Sequence, residues 1–161
     1  MKLIAVDPGY ERIGIAILER DTKKKEALIY SECFKTSAKL SFAQRLKAIG
    51  EEIARVAKEY KPEALAIEKL YFAKNTTTAM GVAEARGVII YECARLDIPV
   101  YEYTPIEIKV AVGGHGKASK DDVLAMTTKL IALPKDRKQI DDEIDAIAIG
   151  LTCFAREKLK S

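Results

Sequence analysis

Two short apolar runs in this sequence end in the same way. Leu3-Ile4-Ala5-Val6 stops at Asp7, and Ala64-Leu65-Ala66-Ile67 stops at Glu68. Four consecutive apolar residues leave no side for solvent, so each run reads as a strand buried on both faces. Such strands belong to a sheet covered by helices on both sides, and open sheets of that kind bind ligands at the carboxyl ends of their strands. Each acid is therefore expected at that edge. Asp7-Pro8-Gly9 is also ordinary turn chemistry, which serves the first acid equally well. Glu is not a favoured turn former, so the second acid is harder to dismiss.

The rest of the chain supplies the covering helices. Residues 13–18 and 27–34 read as two more strands joined by a charged connection. Over 41–60 the period changes: Leu46, Ile49, Ile53, Val56 and Tyr60 fall three or four apart, giving an amphipathic helix that ends before Pro62. A helix rich in small residues (Ala79, Gly81, Ala83, Ala85, Gly87) is expected over 75–95, a strand over 98–103 and a short helix over 104–112. Residues 113–116 form a glycine loop. Ser119, with Asp122 three residues on, is a helix N-cap, followed by an apolar stripe of Val123, Met126 and Leu130. A last helix is expected over 141–158. This order predicts an α/β fold on a mixed sheet, one domain over 1–158.

Composition limits the setting. The chain has 161 residues, long enough to bury a core without disulfides or a structural metal. Its three cysteines, Cys33, Cys93 and Cys153, are odd in number and form no CxxC pair, which suits a reducing compartment. No apolar run reaches the ~18–20 residues that span a bilayer. The first acid comes too early for a secretory signal. The expected location is the cytoplasm, with no membrane partner.

A third acidic element is Asp141-Asp142-Glu143-Ile144-Asp145. Acids in a first helical turn complement the helix dipole, and that accounts for most such clusters. Here the following stretch, 146–155, carries no charge, so the helix is expected to be buried all round with its acidic start opening onto a cleft or edge. Asp142 and Asp145, three apart, share a face. Converging carboxylates repel one another and hold their protons unless a cation intervenes. Oxygen donors from several Asp and Glu suit Mg²⁺ or Mn²⁺.

Basic residues are unevenly spread. Residues 105–140 hold seven Lys and Arg against four Asp and Glu, a surplus equal to the +3 of the whole chain. Lys109, Lys117 and Lys120 flank the glycine loop, and a phosphate partner would give Lys120 a purpose at a helix start, where a cation otherwise opposes the dipole. A solvated lysine explains it as well. Tyr71-Phe72, just past Glu68, suits either base stacking or the core, with the core favoured. The single histidine, His115, supports neither a zinc site nor a dyad, and the glycine loop lacks the spacing of a phosphate-binding P-loop.

Taken together, Asp7-Pro8-Gly9, Ala66-Ile67-Glu68, Ala73-Lys74-Asn75, Ala85-Arg86-Gly87 and Asp142-Glu143-Ile144-Asp145-Ala146 resemble, in order, the motifs of the RuvC family of bacterial crossover junction endodeoxyribonucleases. The likeness runs from Lys2 to about Ala155. It implies a ribonuclease H-like mixed β-sheet flanked by helices, and a homodimer that cuts four-way (Holliday) junction DNA with Mg²⁺. It also raises a branch-migration helicase complex as a partner. The family's catalytic, metal-binding acids match Asp7, Glu68, Asp142 and Asp145; some members have His where this chain has Asp142. Its site lysines match Lys109 and Lys120. Its junction-contacting aromatic, usually Phe, matches Tyr71, with Phe72 beside it. Its dimer helix matches 76–95.

The expected reaction is two-metal phosphodiester hydrolysis, with two Mg²⁺ per active site, Mn²⁺ able to substitute, and 5′-phosphate and 3′-hydroxyl ends. A two-fold dimer would nick a two-fold junction symmetrically. Three alternatives stand beside this: a nuclease of the same fold acting on RNA:DNA hybrids or another branched structure, an actin- or hexokinase-like phosphotransferase, and a DNA-binding module whose acids are structural. The phosphotransferase reading is weakened by one short domain without a repeat.

Overall fold

Side-chain alternation along β1 (Lys2–Asp7) divides the molecule into two faces. The computed structural model describes residues 1–70, 76–134 and 139–158. β1 pairs antiparallel with β2 (Arg12–Arg20), and β2 antiparallel with β3 (Glu26–Lys35). On its other side β1 runs parallel to β4 (Leu65–Glu68), and β4 parallel to β5 (Val100–Tyr103). The result is a mixed five-stranded sheet in the order β3-β2-β1-β4-β5. Leu3 to Val6 and Leu65 to Ile67 are fully buried, as expected of apolar runs covered on both sides.

Ile4, Val6, Ile13, Ile15, Ile17, Leu65 and Ile67 point to one face and pack against α1 (Phe42–Tyr60) and α2 (Thr76–Ala94). Leu3, Ala5, Ala16, Leu18, Ala64 and Ala66 point to the other, under α3 (Pro105–Gly113), α4 (Lys120–Leu130) and α5 (Asp141–Arg156). α1 starts at a reciprocal cap between Ser41 and Gln44 and stops at Lys61, whose φ of 51° turns the chain out of the helix. Its apolar stripe faces the sheet through Ile49, Ile53 and Val56.

Most boundaries move by one or two residues. The strand expected from 98 begins at Val100 because Pro99 precedes it, and the last helix ends at Arg156 rather than at 158. Gly113 closes α3, and Gly114, with a φ of 85°, is its left-handed cap. The Ser119–Asp122 capping box is present. The stripe expected on α4 is corrected: Val123 and Thr127 are buried while Leu130 is half exposed. Thr127 is tolerated inside because its hydroxyl donates to the Val123 carbonyl at 2.8 Å. Among the described residues, no helix is long and apolar enough to cross a membrane.

Candidate active site

The alternation that buries Leu3 and Ala5 under α5 puts Asp7 next on the same face, and Ala64 and Ala66 do the same for Glu68. The parallel pairing of β1 with β4 makes both carboxylates leave the sheet at neighbouring strand ends. α5 brings the other two. It lies close because two glycines leave room: a Cβ at Gly150 would come within 2.7 Å of Leu18 Cδ1 and 3.1 Å of the Ala5 Cβ, and one at Gly14 within 1.9 Å of the Asp142 carbonyl oxygen. Gly14 is the cross-strand partner of Asp7. Only a residue without a side chain lets the first turn of α5 settle beside that acid.

The start of α5 is pinned from the sheet side. Glu143 is buried; its Oε2 accepts the Ser31 hydroxyl at 2.7 Å, and its Oε1 accepts the Ile140 N–H at 3.4 Å. Ile140, the N-cap, has no side-chain oxygen to offer, so Glu143 caps the helix in its place. Asp142 forms an ion pair with Arg12 from the start of β2, and the Cys33 thiol lies 3.7 Å away. Asp145 accepts from the Lys120 ammonium at 3.0 Å. That lysine, the first residue of α4, is set against an acid on α5.

Glu68, Asp142 and Asp145 all lie within charge range of Asp7. Burial pushes Asp7 up to about 8, reinforced by the charges of Glu68, Asp145 and Asp142 and opposed by Lys120. Burial, with Asp145 adding to it, raises Glu68 to about 7. Asp145 is also raised by burial, against the pull of Lys120. These carboxyls resist ionising together because burial costs them hydration and they repel one another, which Lys120 offsets only in part. A hard divalent cation supplies that compensation, and an all-carboxylate donor set fits one. Among the described residues, no three acid, His or Cys side chains stand close enough to ligate one ion as they are; Asp142 and Asp145 are engaged by Arg12 and Lys120.

A cleft of about 210 Å³ opens beside Glu68 and Asp145, with Lys109 and Lys120 on its wall and Ile108 and Val123 below. The four acids, Lys109 and Lys120 are thus gathered at one edge. Lys117 is exposed in the loop after α3 and does not line the cleft. Tyr71 and Phe72 lie outside the described residues. Sequence reasoning missed Arg12, Gly14, Ser31 and Glu143. Gly14 had a readable signal, an isolated glycine inside a strand pattern, which marks a close backbone approach.

A profile of the family described as crossover junction endodeoxyribonuclease RuvC matches residues 3–153. The chain belongs to the RuvC family. The Thermosipho melanesiensis crossover junction endodeoxyribonuclease RuvC is 41% identical over 157 residues, 98% of each chain. The Finegoldia magna protein of the same name is 39% identical, over 99% of this chain and 96% of its own. Among solved structures, Thermus thermophilus RuvC in complex with a Holliday junction substrate superposes with a TM-score of 0.87 at 29% identity, covering 96% of this chain and 93% of that one. The yeast mitochondrial Holliday junction resolvase Ydc2 superposes with a TM-score of 0.67 at 11% identity, covering 95% and 78%, which shows the shared fold. The fold is the ribonuclease H-like one of RuvC proteins. Crossover junction endodeoxyribonuclease is the activity named for this family.

Proposed function

We propose that this RuvC-family chain resolves four-way DNA junctions as a homodimer, by Mg²⁺-assisted hydrolysis of one phosphodiester in each of two opposed strands. The observation that carries the reading is the convergence of Asp7, Glu68, Asp142 and Asp145 at one sheet edge, beside a cleft walled by Lys109 and Lys120. Asp7 is the central ligand, since it feels all three other acids. The four carboxylates would hold two Mg²⁺, or Mn²⁺ in its place, which would supply Lewis-acid activation of water and charge stabilisation at the leaving oxygen.

The chain's own groups do the remainder. Lys120 moves its ammonium from Asp145 onto phosphate once the acid is otherwise engaged, and Lys109 meets the same strand from α3. Ile108 and Val123 line the cleft with apolar surface, which lowers the local dielectric and strengthens those charges. The water oxygen bonds to phosphorus and releases a proton to solvent as the P–O3′ bond breaks and O3′ takes up a proton from solvent, leaving a 5′-phosphate and a 3′-hydroxyl.

Support for the dimer comes from α2. Met80 and Tyr91 are well exposed for apolar side chains, and a groove between α1 and α2 sets Leu46, Val88 and Tyr91 among the charged Lys47, Glu51, Glu92 and Arg95. Two copies related by a two-fold axis give paired, symmetric nicks. Charge supports a nucleic-acid partner: setting the four ligands aside raises the formal surplus from +3 to +7 per chain. The free thiols of Cys33, Cys93 and Cys153 suit the cytoplasm, where a branch-migration helicase complex would share the junction.

Synthetic four-way junctions, linear duplex and RNA:DNA hybrid, each with Mg²⁺ or EDTA, test this. Symmetric nicks in the junction alone, abolished by EDTA, are expected. Equal cutting of duplex or hybrid would overturn the substrate, and cutting in EDTA would overturn the metal.

A further inference from the structure

Arg86 stands at the centre of the Ala85-Arg86-Gly87 motif, yet it lies on the face of the sheet away from the acids. From α2 its Nε donates to the backbone carbonyl of Glu68 at 2.9 Å. A terminal nitrogen of the same guanidinium forms an ion pair with Glu102 of β5. Only 17% of the Arg86 side chain is exposed. Glu102 pairs with Ile67 in the β4–β5 ladder, one residue before Glu68. The same peptide is held at its other side, because the Lys69 N–H donates to the Tyr103 carbonyl at 2.8 Å. The peptide that carries Glu68 is therefore gripped from below by one planar fork that spans two strand ends.

We infer that Arg86 is a positioning residue, which fixes the peptide of Glu68 and so aims its carboxylate at the metal site. The inference rests on the metal-dependent reading above. The geometry explains why arginine stands here: its rigid donor fork reaches a carbonyl and a carboxylate at once, whereas an ammonium on a flexible stem is a single point charge. β4 is only four residues long, and Glu68 is its last. A strand end of that kind frays unless something takes up its carbonyl. Arg86 takes it up, and Glu102 holds the guanidinium in the plane that the bond requires. Groups that orient ligands in this indirect way typically matter ~10–100-fold in metal affinity or activity.

Three variants, Arg86→Lys, Arg86→Ala and Glu102→Gln, test the inference. Two readouts are independent: Mn²⁺ affinity of the DNA-free protein, by titration with electron paramagnetic resonance, and junction cleavage split into kcat and KM. For Arg86→Lys, a ~10-fold or greater weakening of Mn²⁺ binding and a matching fall in kcat are expected, with KM and junction binding in Ca²⁺ unchanged. Arg86→Ala should lose more, and Glu102→Gln less. Thermal unfolding of Arg86→Lys close to wild type separates positioning from general damage. Weakened junction binding with intact Mn²⁺ affinity would make Arg86 a DNA contact and overturn the inference. Unchanged Mn²⁺ affinity and kcat in Arg86→Lys and Arg86→Ala would overturn it outright. If wild type cuts junctions without taking up Mn²⁺, the metal reading fails and the kcat comparison still decides the role of Arg86. If wild type cuts nothing, the proposed activity fails and Mn²⁺ affinity decides it.

Discussion

The two faces of the sheet are built from the same strands and solve different problems. Under α1 and α2 lie Ile4, Val6, Ile13, Ile15, Ile17 and Ile67, each at most 1% exposed. Under α5 the strands present Ala5, Gly14, Ala16 and Ala66 beside Leu3 and Leu18. Branched side chains hold a helix away from the sheet and contribute cohesion, roughly 1.5–3 kcal/mol for each one buried. Small ones give up that burial and let a helix backbone approach. On the α5 face the approach carries the acids of the helix's first turn to within charge range of Asp7 and Glu68. The period of two along β1 thus assigns stability to one face and chemistry to the other.

Asp7→Asn gives the largest contrast. Asp7 lies on the chemical face and feels every other acid, so junction cutting should fall by ~10³-fold or more, equivalent to ~4 kcal/mol of barrier. A variant that cuts at the wild-type rate would remove Asp7 from the site. Next comes a matched pair on β2. Gly14→Ala drives a Cβ into the Asp142 carbonyl, displacing the start of α5; about an ångström of misplacement costs ~10²-fold in rate. Ile15→Val, one residue along on the other face, should lower stability by ~0.5–1.5 kcal/mol and leave kcat alone. If the two variants had the same effect on kcat, the division of labour between the faces would be wrong. Glu143→Ala removes the carboxylate that accepts from Ser31 and caps α5; a loss of ~1–3 kcal/mol by denaturant titration is expected, with a ~10-fold slower cut. Unchanged stability would show that the helix start is held by packing on Gly14 alone.

Much of this was legible in the sequence because one-dimensional rules carry it. Runs without polar residues marked β1 and β4, and the acids that closed them marked the sheet edge. An uncharged stretch after Asp145 marked α5 as buried, and Ser119 with Asp122 marked the start of α4. The pairings that complete the site are set by topology and not by local pattern. Arg12 meets Asp142 across 130 positions and Ser31 meets Glu143 across 112. Glu143 read as one more acid in a helical first turn, where the dipole explains it. Only the packing of α5 over β2 and β3 turns it inward. Arg86 shows the same limit. Its motif was visible, but the carbonyl it binds belongs to a strand on another part of the fold. Leu130 shows the converse: helical spacing identified a stripe, while the packing of α4 against α5 and α3 decided which residues it buried.

A pH profile of stability tests the electrostatics of the chemical face directly. In the folded chain Asp7 keeps its proton up to about pH 8, against an ordinary value of 3.8, and Glu68 keeps its own up to about pH 7, against 4.5. Between the ordinary and raised values the folded chain binds more protons than the unfolded one, so its stability falls as pH rises. The contribution is fully present below about pH 4 and is lost as pH passes through 7 and then 8. In EDTA, Tm should therefore fall by ~10 °C or more between pH 5 and pH 9, at ~2–4 °C per kcal/mol for a chain of this size. Mg²⁺ should flatten the slope by taking the place of the protons, and more so at higher pH. Asp7→Asn should flatten it without metal, while Ile15→Val should shift the whole curve and keep its slope. A flat profile for wild type in EDTA would mean that Asp7 and Glu68 ionise near their ordinary values. The acids would then be too well hydrated to share one enclosed site, and the α5 face would be a second core with acids on its rim.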